Sequence, residues 1–125
     1  MDPRDAVLII EDDLELRTLL GSLLESERYR VFQAEDAEQG LKALTDHSGS
    51  IKLVITDLNL PRLSGVELIG KIRTLDGSLK ILGTSGLSTP QVREMVIRAG
   101  ANGFVAKPYT LLDLLKEVRG LMENT

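Results

Sequence analysis

Residues 53–61 read LVITDLNLP, a run of strand-forming apolar residues that stops at a carboxylate. Branched apolar side chains favour a strand, whereas Asp, Asn and Pro favour turns through local hydrogen bonds or a fixed φ. The stretch therefore predicts a strand that leads directly to Asp57, with Asn59 and Pro61 just beyond it. Two interpretations are open at this point. Asp57 begins an ordinary turn, or the strand holds its carboxylate rigidly at the edge of a sheet.

The chain has 125 residues, the usual size of one domain with one hydrophobic core. No apolar run is long enough to cross a bilayer, and the first ten residues lack the flanks of a signal peptide. The absence of Cys excludes disulfides and thiolate metal sites and is typical of a reducing cytoplasm. With a net charge of −4, no basic cluster and no Trp, we expect protein or small-molecule partners, with no direct binding to nucleic acid or membrane.

Short apolar runs alternate five times with helical periodicity along the chain. Strands are predicted at residues 6–10, 29–34, 51–56, 80–84 and 102–106. Helix starts are marked by capping residues, namely Asp36 with Gln39, Ser64 with Glu67, Thr89 with Pro90, and Thr110. This alternation predicts an α/β fold with a doubly wound parallel sheet and helices on both faces, and continuous apolar runs such as VLII fit strands buried on both sides.

Helical spacing also predicts which side chains face the core. These are Leu16, Leu19, Leu20, Leu23 and Leu24 in the first helix, Leu41 and Leu44 in the second, Val66, Leu68 or Ile69, and Ile72 in the third, Val92, Met95, Val96 and Ala99 in the fourth, and Leu111, Leu115, Val118 and Met122 in the fifth. Gly100 is expected to end the fourth helix. Leu112 lies off the inward stripe of the fifth helix and is a candidate for a partner or dimer contact.

Polar residues follow the predicted strands at the ends where open parallel sheets bind ligands. They are Glu11, Asp12 and Asp13 after the first strand, Asp57 after the third, Ser85 after the fourth, and Lys107 with Pro108 after the fifth. Each motif alone has an ordinary reading as a helix start, a turn or a loop. Their joint placement is what indicates a site, because carboxylates gathered at one edge repel each other unless a cation lies among them. Mg²⁺ prefers such oxygen ligands, and together with Lys107 it would balance three carboxylates.

Taken together, Glu11-Asp12, Asp57, Ser85 and Lys107-Pro108 resemble the receiver domain of bacterial two-component response regulators. The resemblance covers essentially the whole chain and includes Pro61, Gly65 and Phe104. It implies a five-stranded (βα)5 flavodoxin-like fold with strand order 2-1-3-4-5. It also implies a single receiver domain over residues 1–125, whose output domain is absent or not included.

The resemblance implies a role for each matching residue. Asp57 corresponds to the phosphoacceptor, and Lys107 and Ser85 to the residues that assist phosphoryl transfer. The implied Mg²⁺ ligands are Asp12, Asp57, the main-chain carbonyl of Asn59, and Glu11 through a water molecule. Asp13 falls one position past the matched acidic pair and is interpreted as a helix-start charge, and the bond between Lys107 and Pro108 is expected to be cis.

The implied function is that of a phosphorylation-controlled switch in a phosphorelay. Such a domain is not an enzyme in its own right, although it assists its own phosphorylation and hydrolysis. The implied partners are a sensor histidine kinase or phosphotransfer protein, and an output domain or target protein, in the cytoplasm. On phosphorylation Ser85 would move toward the phosphoryl group and Phe104 would swing into the vacated space, with Thr84 as a rival for the switch hydroxyl. The fourth helix, fifth strand and fifth helix form the implied output surface and candidate homodimer contact.

Three other function classes are less compatible with the sequence. A receiver-like module that binds its partner regardless of phosphate would not need the intact acidic pair, acceptor and lysine. A phosphatase with an aspartate nucleophile typically has DxDx[TV] after the first strand, where this chain reads EDDLE. A flavin-binding flavodoxin-like protein needs a hydroxyl- and glycine-rich phosphate loop where this chain has carboxylates.

Overall fold

The computed structural model describes residues 5–61, 63–86 and 89–123. A five-stranded sheet runs through these residues in the order β2-β1-β3-β4-β5, and every neighbouring pair of strands is parallel. The strands are β1 (Ala6–Ile10), β2 (Arg30–Ala34), β3 (Ile51–Asp57), β4 (Lys80–Ser85) and β5 (Gly103–Ala106). The predicted fold class and strand order are confirmed.

Five helices connect and follow the strands. They are α1 (Leu14–Ser26), α2 (Ala37–Asp46), α3 (Gly65–Leu75), α4 (Pro90–Ala99) and α5 (Leu111–Glu123). Side chains of α2, α3 and α4 form one core with one face of the sheet, and those of α1 and α5 form a second core with the other face. Within β1, Leu8 belongs to the first core and Val7 and Ile9 to the second, so the continuous apolar run is explained by burial on both faces. None of the helices in these residues is both long enough and apolar enough to traverse a bilayer.

The strand ends differ by one residue from the predicted ranges. The third and fourth strands each continue one residue further, so that Asp57 and Ser85 are the last residues of β3 and β4. Tyr29 lies before β2 instead of within it, since its N–H donates to Leu24 O at the end of α1. Asn102 likewise precedes β5. Asp57 is thus held by strand pairing, which decides the question raised by the sequence in favour of a rigid sheet edge.

Capping side chains begin the helices as the sequence predicted. Asp36, Ser64 and Thr89 each accept a hydrogen bond from the N–H three residues later, and Thr110 does the same for Asp113. The reciprocal hydrogen bond of a capping box, from the N–H of the capping residue to the side chain three residues later, differs from expectation at Asp36. The side chain of Gln39 accepts from the N–H of Glu35 instead of Asp36.

The predicted core-facing stripes are correct along their centre lines, but some residues at the sides of the stripes are exposed instead of buried. Leu19, Val66 and Met95 were expected in the core but are 49%, 37% and 57% exposed. The fourth helix is fully buried only at Val96, because it packs near the edge of the sheet and covers little of it. Leu114 was missed and is completely buried, whereas Leu112 is 65% exposed, as its position off the stripe predicted.

Candidate functional site

The carboxyl ends of four strands bring the predicted site residues to one edge of the sheet. Glu11 and Asp12 follow β1, which lies beside β3 with Asp57 as its last residue. Carboxylate oxygens of these three residues, one from each, all lie within 4.8 Å of one another. Three acidic groups that are 46 positions apart in sequence therefore form one cluster, as the topology requires.

Lys107 supplies the positive charge opposite this cluster. Its Nζ lies 3.1 Å from Glu11 Oε1 and 3.2 Å from Asp57 Oδ2, so one ammonium group bridges two carboxylates. Its main-chain N–H donates to Ser85 O at 2.8 Å, which fixes the start of the loop after β5. The peptide bond between Lys107 and Pro108 is cis, as expected.

Asp57 is oriented by hydrogen bonds to both of its carboxylate oxygens. The N–H of Asn59 donates to Oδ1 at 2.9 Å, and Lys107 Nζ donates to Oδ2. The side-chain amide of Asn59 in turn donates to Ser85 Oγ at 3.2 Å. Asp57 is 6% exposed and Ser85 is 1% exposed, so the pair lies at the floor of the site. The carboxylate is held in a single orientation there.

The two neighbouring acids after β1 have different surroundings. Glu11 is only 3% exposed, and its Oε2 accepts the N–H of Asp13, while Asp12 is exposed to solvent. Burial raises the pKa of the Glu11 carboxyl, and the charge of Asp57 acts in the same direction against hydrogen bonds from Asp13 and Lys107. The acidic pair thus offers one inner and one outer carboxylate.

The charge of Lys107 is stabilised in spite of its partial burial. Burial acts to lower the pKa of its ammonium group, but the hydrogen bond to Glu11 and the charges of Asp57 and Glu11 outweigh that effect and raise the pKa. One ammonium group against three carboxylates leaves two negative charges in the cluster. A divalent cation with oxygen ligands fits this donor set in both charge and chemistry.

The remaining predicted residues occupy two different environments. Ser85 belongs to the site through Asn59, whereas the hydroxyl of Thr84 lies 3.5 Å from Thr56 O, inside the sheet. Asp13 caps α1 by accepting the N–H of Leu16, in agreement with its interpretation as a helix-start residue. Phe104 is buried in the core covered by α2, α3 and α4, and it lies outside the cluster of charges.

Two residues near the site were missed by the sequence analysis. Arg17 Nη1 donates to the main-chain oxygen of Glu11 at 2.7 Å and so holds the end of β1. Tyr109 lines an opening of about 400 Å³ with Leu16, Lys107 and Pro108, and burial raises the pKa of its hydroxyl. Their only sequence signal is proximity, since Arg17 lies in the second turn of α1 and Tyr109 two positions after the lysine.

The sequence of this chain is similar to that of a known protein family. The sequence profile of the response regulator receiver domain matches residues 7–119. Response regulator RppA from Synechocystis is 34% identical over 119 residues, which are 95% of this chain and 51% of that protein. The chain spans about half or less of the length of the curated relatives it matches.

Solved structures agree with the sequence relatives. A response regulator receiver domain protein from Clostridium thermocellum has a TM-score of 0.89 at 25% identity, covering 96% of this chain and 95% of its own. A CheY-like receiver domain protein from Methanospirillum hungatei has a TM-score of 0.88 at 27% identity, covering 96% of this chain and 94% of its own. The profile match extends over nearly the whole chain, and the chain belongs to the response regulator receiver domain family of two-component signalling systems.

Proposed function

We propose that this chain is the phosphoacceptor receiver of a two-component phosphorelay and that it accepts a phosphoryl group on Asp57. The observation that supports this most directly is the carboxylate of Asp57, which is held between the N–H of Asn59 and the Nζ of Lys107. Carboxylates act as covalent nucleophiles in phosphoryl transfer. Its neighbours Glu11 and Asp12 complete a donor set for a divalent cation.

The reaction is a displacement at phosphorus. A carboxylate oxygen of Asp57 forms a bond to the phosphorus, and the bond from phosphorus to the donor breaks. The electron pair of that bond leaves with the donor, which is the imidazole nitrogen of a phosphohistidine or the acetate oxygen of acetyl phosphate. The two hydrogen bonds to Asp57 hold its carboxylate in place, so that little orientational freedom is lost when the donor arrives.

Lys107 and the acidic cluster serve this step by electrostatics. Lys107 Nζ bridges Asp57 and Glu11, so it can turn toward an oxygen of the incoming group without leaving the site. Receiver domains generally bind Mg²⁺, which here would be held by Asp12, Asp57, the main-chain carbonyl of Asn59, and Glu11 through water. When bound, the ion supplies positive charge that offsets the charge of the phosphoryl oxygens.

Within this proposal Ser85 and Phe104 transmit the effect of phosphorylation at Asp57 to the surface of the domain. Ser85 Oγ already contacts the Asn59 side chain beside Asp57, and a phosphoryl group adds acceptor oxygens to which a hydroxyl can donate. In the register between β4 and β5, Phe104 lies opposite Gly83, two residues before Ser85. Movement of Ser85 would therefore alter the packing of Phe104 and of the surface formed by α4, β5 and α5.

The proposed setting follows from the family. The phosphoryl donor is a sensor histidine kinase or a phosphotransfer protein, and the receiving side is an output domain or target protein, with homodimerisation through α4, β5 and α5 as the further contact. Residues 1–125 act as one receiver domain in the cytoplasm. The domain is a switch that assists its own phosphorylation and dephosphorylation, and it is not an enzyme acting on other substrates.

The phosphoacceptor assignment is tested by intact-mass measurement after incubation with acetyl phosphate and Mg²⁺. The parent is expected to gain one phosphoryl group, to gain little with a chelator, and to gain none as Asp57→Ala. Asp46→Ala is the matched control, since Asp46 is an exposed carboxylate in α2 whose ion partner is Lys42. Uptake that persists undiminished in Asp57→Ala would contradict the assignment.

The switch assignment is tested separately with beryllofluoride and Mg²⁺, which together mimic the phosphoryl group. NMR shifts of Phe104 and α5 are expected to respond in the parent and to respond much less in Ser85→Ala. An equal response in both proteins would exclude Ser85 as the coupling residue. The same measurement on Thr84→Val would then test Thr84.

A further inference from the structure

Leu58, the residue after Asp57, is buried between two glycines from different elements. A Cβ placed on Gly83 of β4 would lie 3.0 Å from Leu58 Cδ1, and its next two neighbours at 3.3 Å are also side-chain atoms of Leu58. A Cβ placed on Gly65, the first residue of α3, would lie 2.7 Å from Leu58 Cβ and 3.0 Å from its Cα. The side chain of Leu58 therefore occupies space that exists only because neither position has a side chain.

The place of Leu58 determines the geometry on either side of it. Its N–H donates to Thr84 O at 2.9 Å, which extends the pairing of β3 and β4 past Asp57. The next residue, Asn59, donates its main-chain N–H to Asp57 Oδ1 and its side-chain amide to Ser85 Oγ. A shift of Leu58 moves the Asn59 peptide, and the Asn59 peptide orients the carboxylate.

We propose that Leu58 is a positioning residue for Asp57 and Asn59, and that Gly83 sets its position by leaving room for its branched end. The effect on phosphorylation rests on the proposed function of Asp57, whereas the effect on the geometry of Asn59 does not. Gly83 thereby has a role in the site although it lies two residues before Ser85.

The two glycines make different predictions because they meet different atoms of Leu58. The three nearest neighbours of a Cβ at Gly83 are Cγ or Cδ atoms of Leu58, which Leu58→Ala removes. The nearest neighbours at Gly65 include Cβ and Cα, which Leu58→Ala retains. The effect of Gly83→Ala should therefore disappear in a Leu58→Ala background, and the effect of Gly65→Ala should persist there.

The experiment compares six variants with the parent. They are Gly83→Ala, Leu58→Ala, the double variant of these two, Gly65→Ala alone, Gly65→Ala combined with Leu58→Ala, and Gly70→Ala as the matched control. Gly70 is exposed in α3, and a Cβ there meets nothing within 4 Å. The measurements are the NMR signals of the main-chain and side-chain amides of Asn59 without phosphoryl donor, and the rate of phosphorylation by acetyl phosphate with Mg²⁺.

Gly83→Ala is expected to shift both Asn59 amide signals and to slow phosphorylation roughly threefold to tenfold, the scale of a displacement of a few tenths of an ångström. Gly70→Ala should leave both unchanged and raise Tm by about 3 °C, because Ala favours a helix. Val118→Ala, which opens a cavity under α5 on the other face of the sheet, controls for a general loss of stability. It should lower Tm without moving the Asn59 signals.

Each remaining outcome decides the proposal. If Gly83→Ala leaves the Asn59 signals as they are in Gly70→Ala, or still shifts them in the Leu58→Ala background, Leu58 is not the connection. If Gly83→Ala fails to fold and Leu58→Ala does not restore folding, the proposal is equally overturned. A parent that takes up no phosphoryl group would refute the proposed function alone, since the Asn59 signals still test the position of Leu58.

Discussion

The two edges of the sheet contain charged groups that are satisfied in opposite ways. At the carboxyl ends of the strands, Lys107 faces three carboxylates that crowd each other. At the amino ends, the guanidinium of Arg73 in α3 donates its hydrogen bonds to neutral acceptors among the described residues. These are the main-chain oxygens of Gly77, Leu79 and Gly100 and the side-chain oxygen of Asn102.

The pKa values of acidic groups at the two edges are shifted in opposite directions. Burial raises the pKa of Glu11 at the site, whereas hydrogen bonds from the hydroxyl and N–H of Ser78 lower the pKa of Asp76 at the opposite edge. Arg73 and Asp76 have hydrogen-bond partners within the protein, and the bonds of Arg73 connect α3 to the end of α4 and the start of β5. The site edge has negative charge left over, so its stability depends on what binds there. The following predictions test this contrast, beginning with the largest effect.

Replacing Arg73 with Met should be the most destabilising of these changes. Two partly buried acceptors, Leu79 O and Gly100 O, would lose their guanidinium donors at about 1 kcal/mol each and about 2 kcal/mol in total, whereas Asn102 Oδ1 keeps the N–H of Ile81. Urea unfolding measures the loss. Arg98→Met is the control, since the ion pair of Arg98 with Glu94 is exposed and its loss should change stability by less than about 0.5 kcal/mol. A loss below about 1 kcal/mol for Arg73→Met would contradict the inferred role.

Magnesium should stabilise the parent by acting on the site edge alone. At ten times its dissociation constant it is expected to raise the free energy of unfolding by about 1.4 kcal/mol. Asp57→Asn should raise stability in chelator by about 1 kcal/mol, the scale of one close like-charge contact in water, and should reduce the response to Mg²⁺. The measurement is the melting temperature at millimolar Mg²⁺ and in chelator. An unchanged melting temperature of the parent would show that the metal site is wrong.

The Arg73 edge also contains a strained residue that can be improved. Arg28, just after α1, has a φ of +73°, a conformation that costs non-glycine residues about 1 kcal/mol or more. Arg28→Gly should therefore stabilise the fold by about 0.5 kcal/mol after the entropy of glycine is subtracted. Glu25→Gly, one turn earlier within α1, should destabilise it by a similar or larger amount. Chemical denaturation of the two variants should give changes of opposite sign.

The smallest effect concerns the pH dependence contributed by Asp76. Its pKa is lowered in the folded state, so its contribution to stability is present above the unfolded pKa and is lost as pH falls through the folded pKa. Asp76→Asn keeps an acceptor for Ser78 but does not titrate. The stability of the parent relative to Asp76→Asn should fall between about pH 5 and pH 3, by a few tenths of a kcal/mol because the group is largely exposed. A pH-independent difference would rule out this contribution.

The fold was predictable because it rests on periodicities that are local in sequence. Continuous apolar runs marked the buried strands, and capping residues such as Asp36 and Ser64 marked the helix starts. The errors at Val66 and Met95 have a common cause, since spacing shows the direction of a helical stripe and not its width. Width depends on how much of the sheet a helix covers, which is a property of the assembled fold.

The residues that gather at the candidate site could be predicted from the sequence, but their burial and many of their contacts could not. The ends of the strands identified Asp57, Ser85 and Lys107 as neighbours, and they do lie at one edge. Which of the two adjacent acids would be buried could not be read from the sequence. Arg73 had no sequence signal either, because its acceptors are mostly main-chain oxygens. The role we propose for Gly83 has no sequence signal, because it depends on the side chain of Leu58 that fills the space beside it.

The bridge from Lys107 to Glu11 joins residues 96 positions apart, and this separation has a consequence for synthesis. A ribosome makes the acidic residues early and the lysine near the end of the domain. A nascent or prematurely terminated chain that lacks β5 carries the carboxylates without their counter-charge. Under the proposed function such a fragment would lack the ammonium group that faces the incoming phosphoryl group, so we expect phosphoryl transfer only to molecules whose translation has passed the last strand.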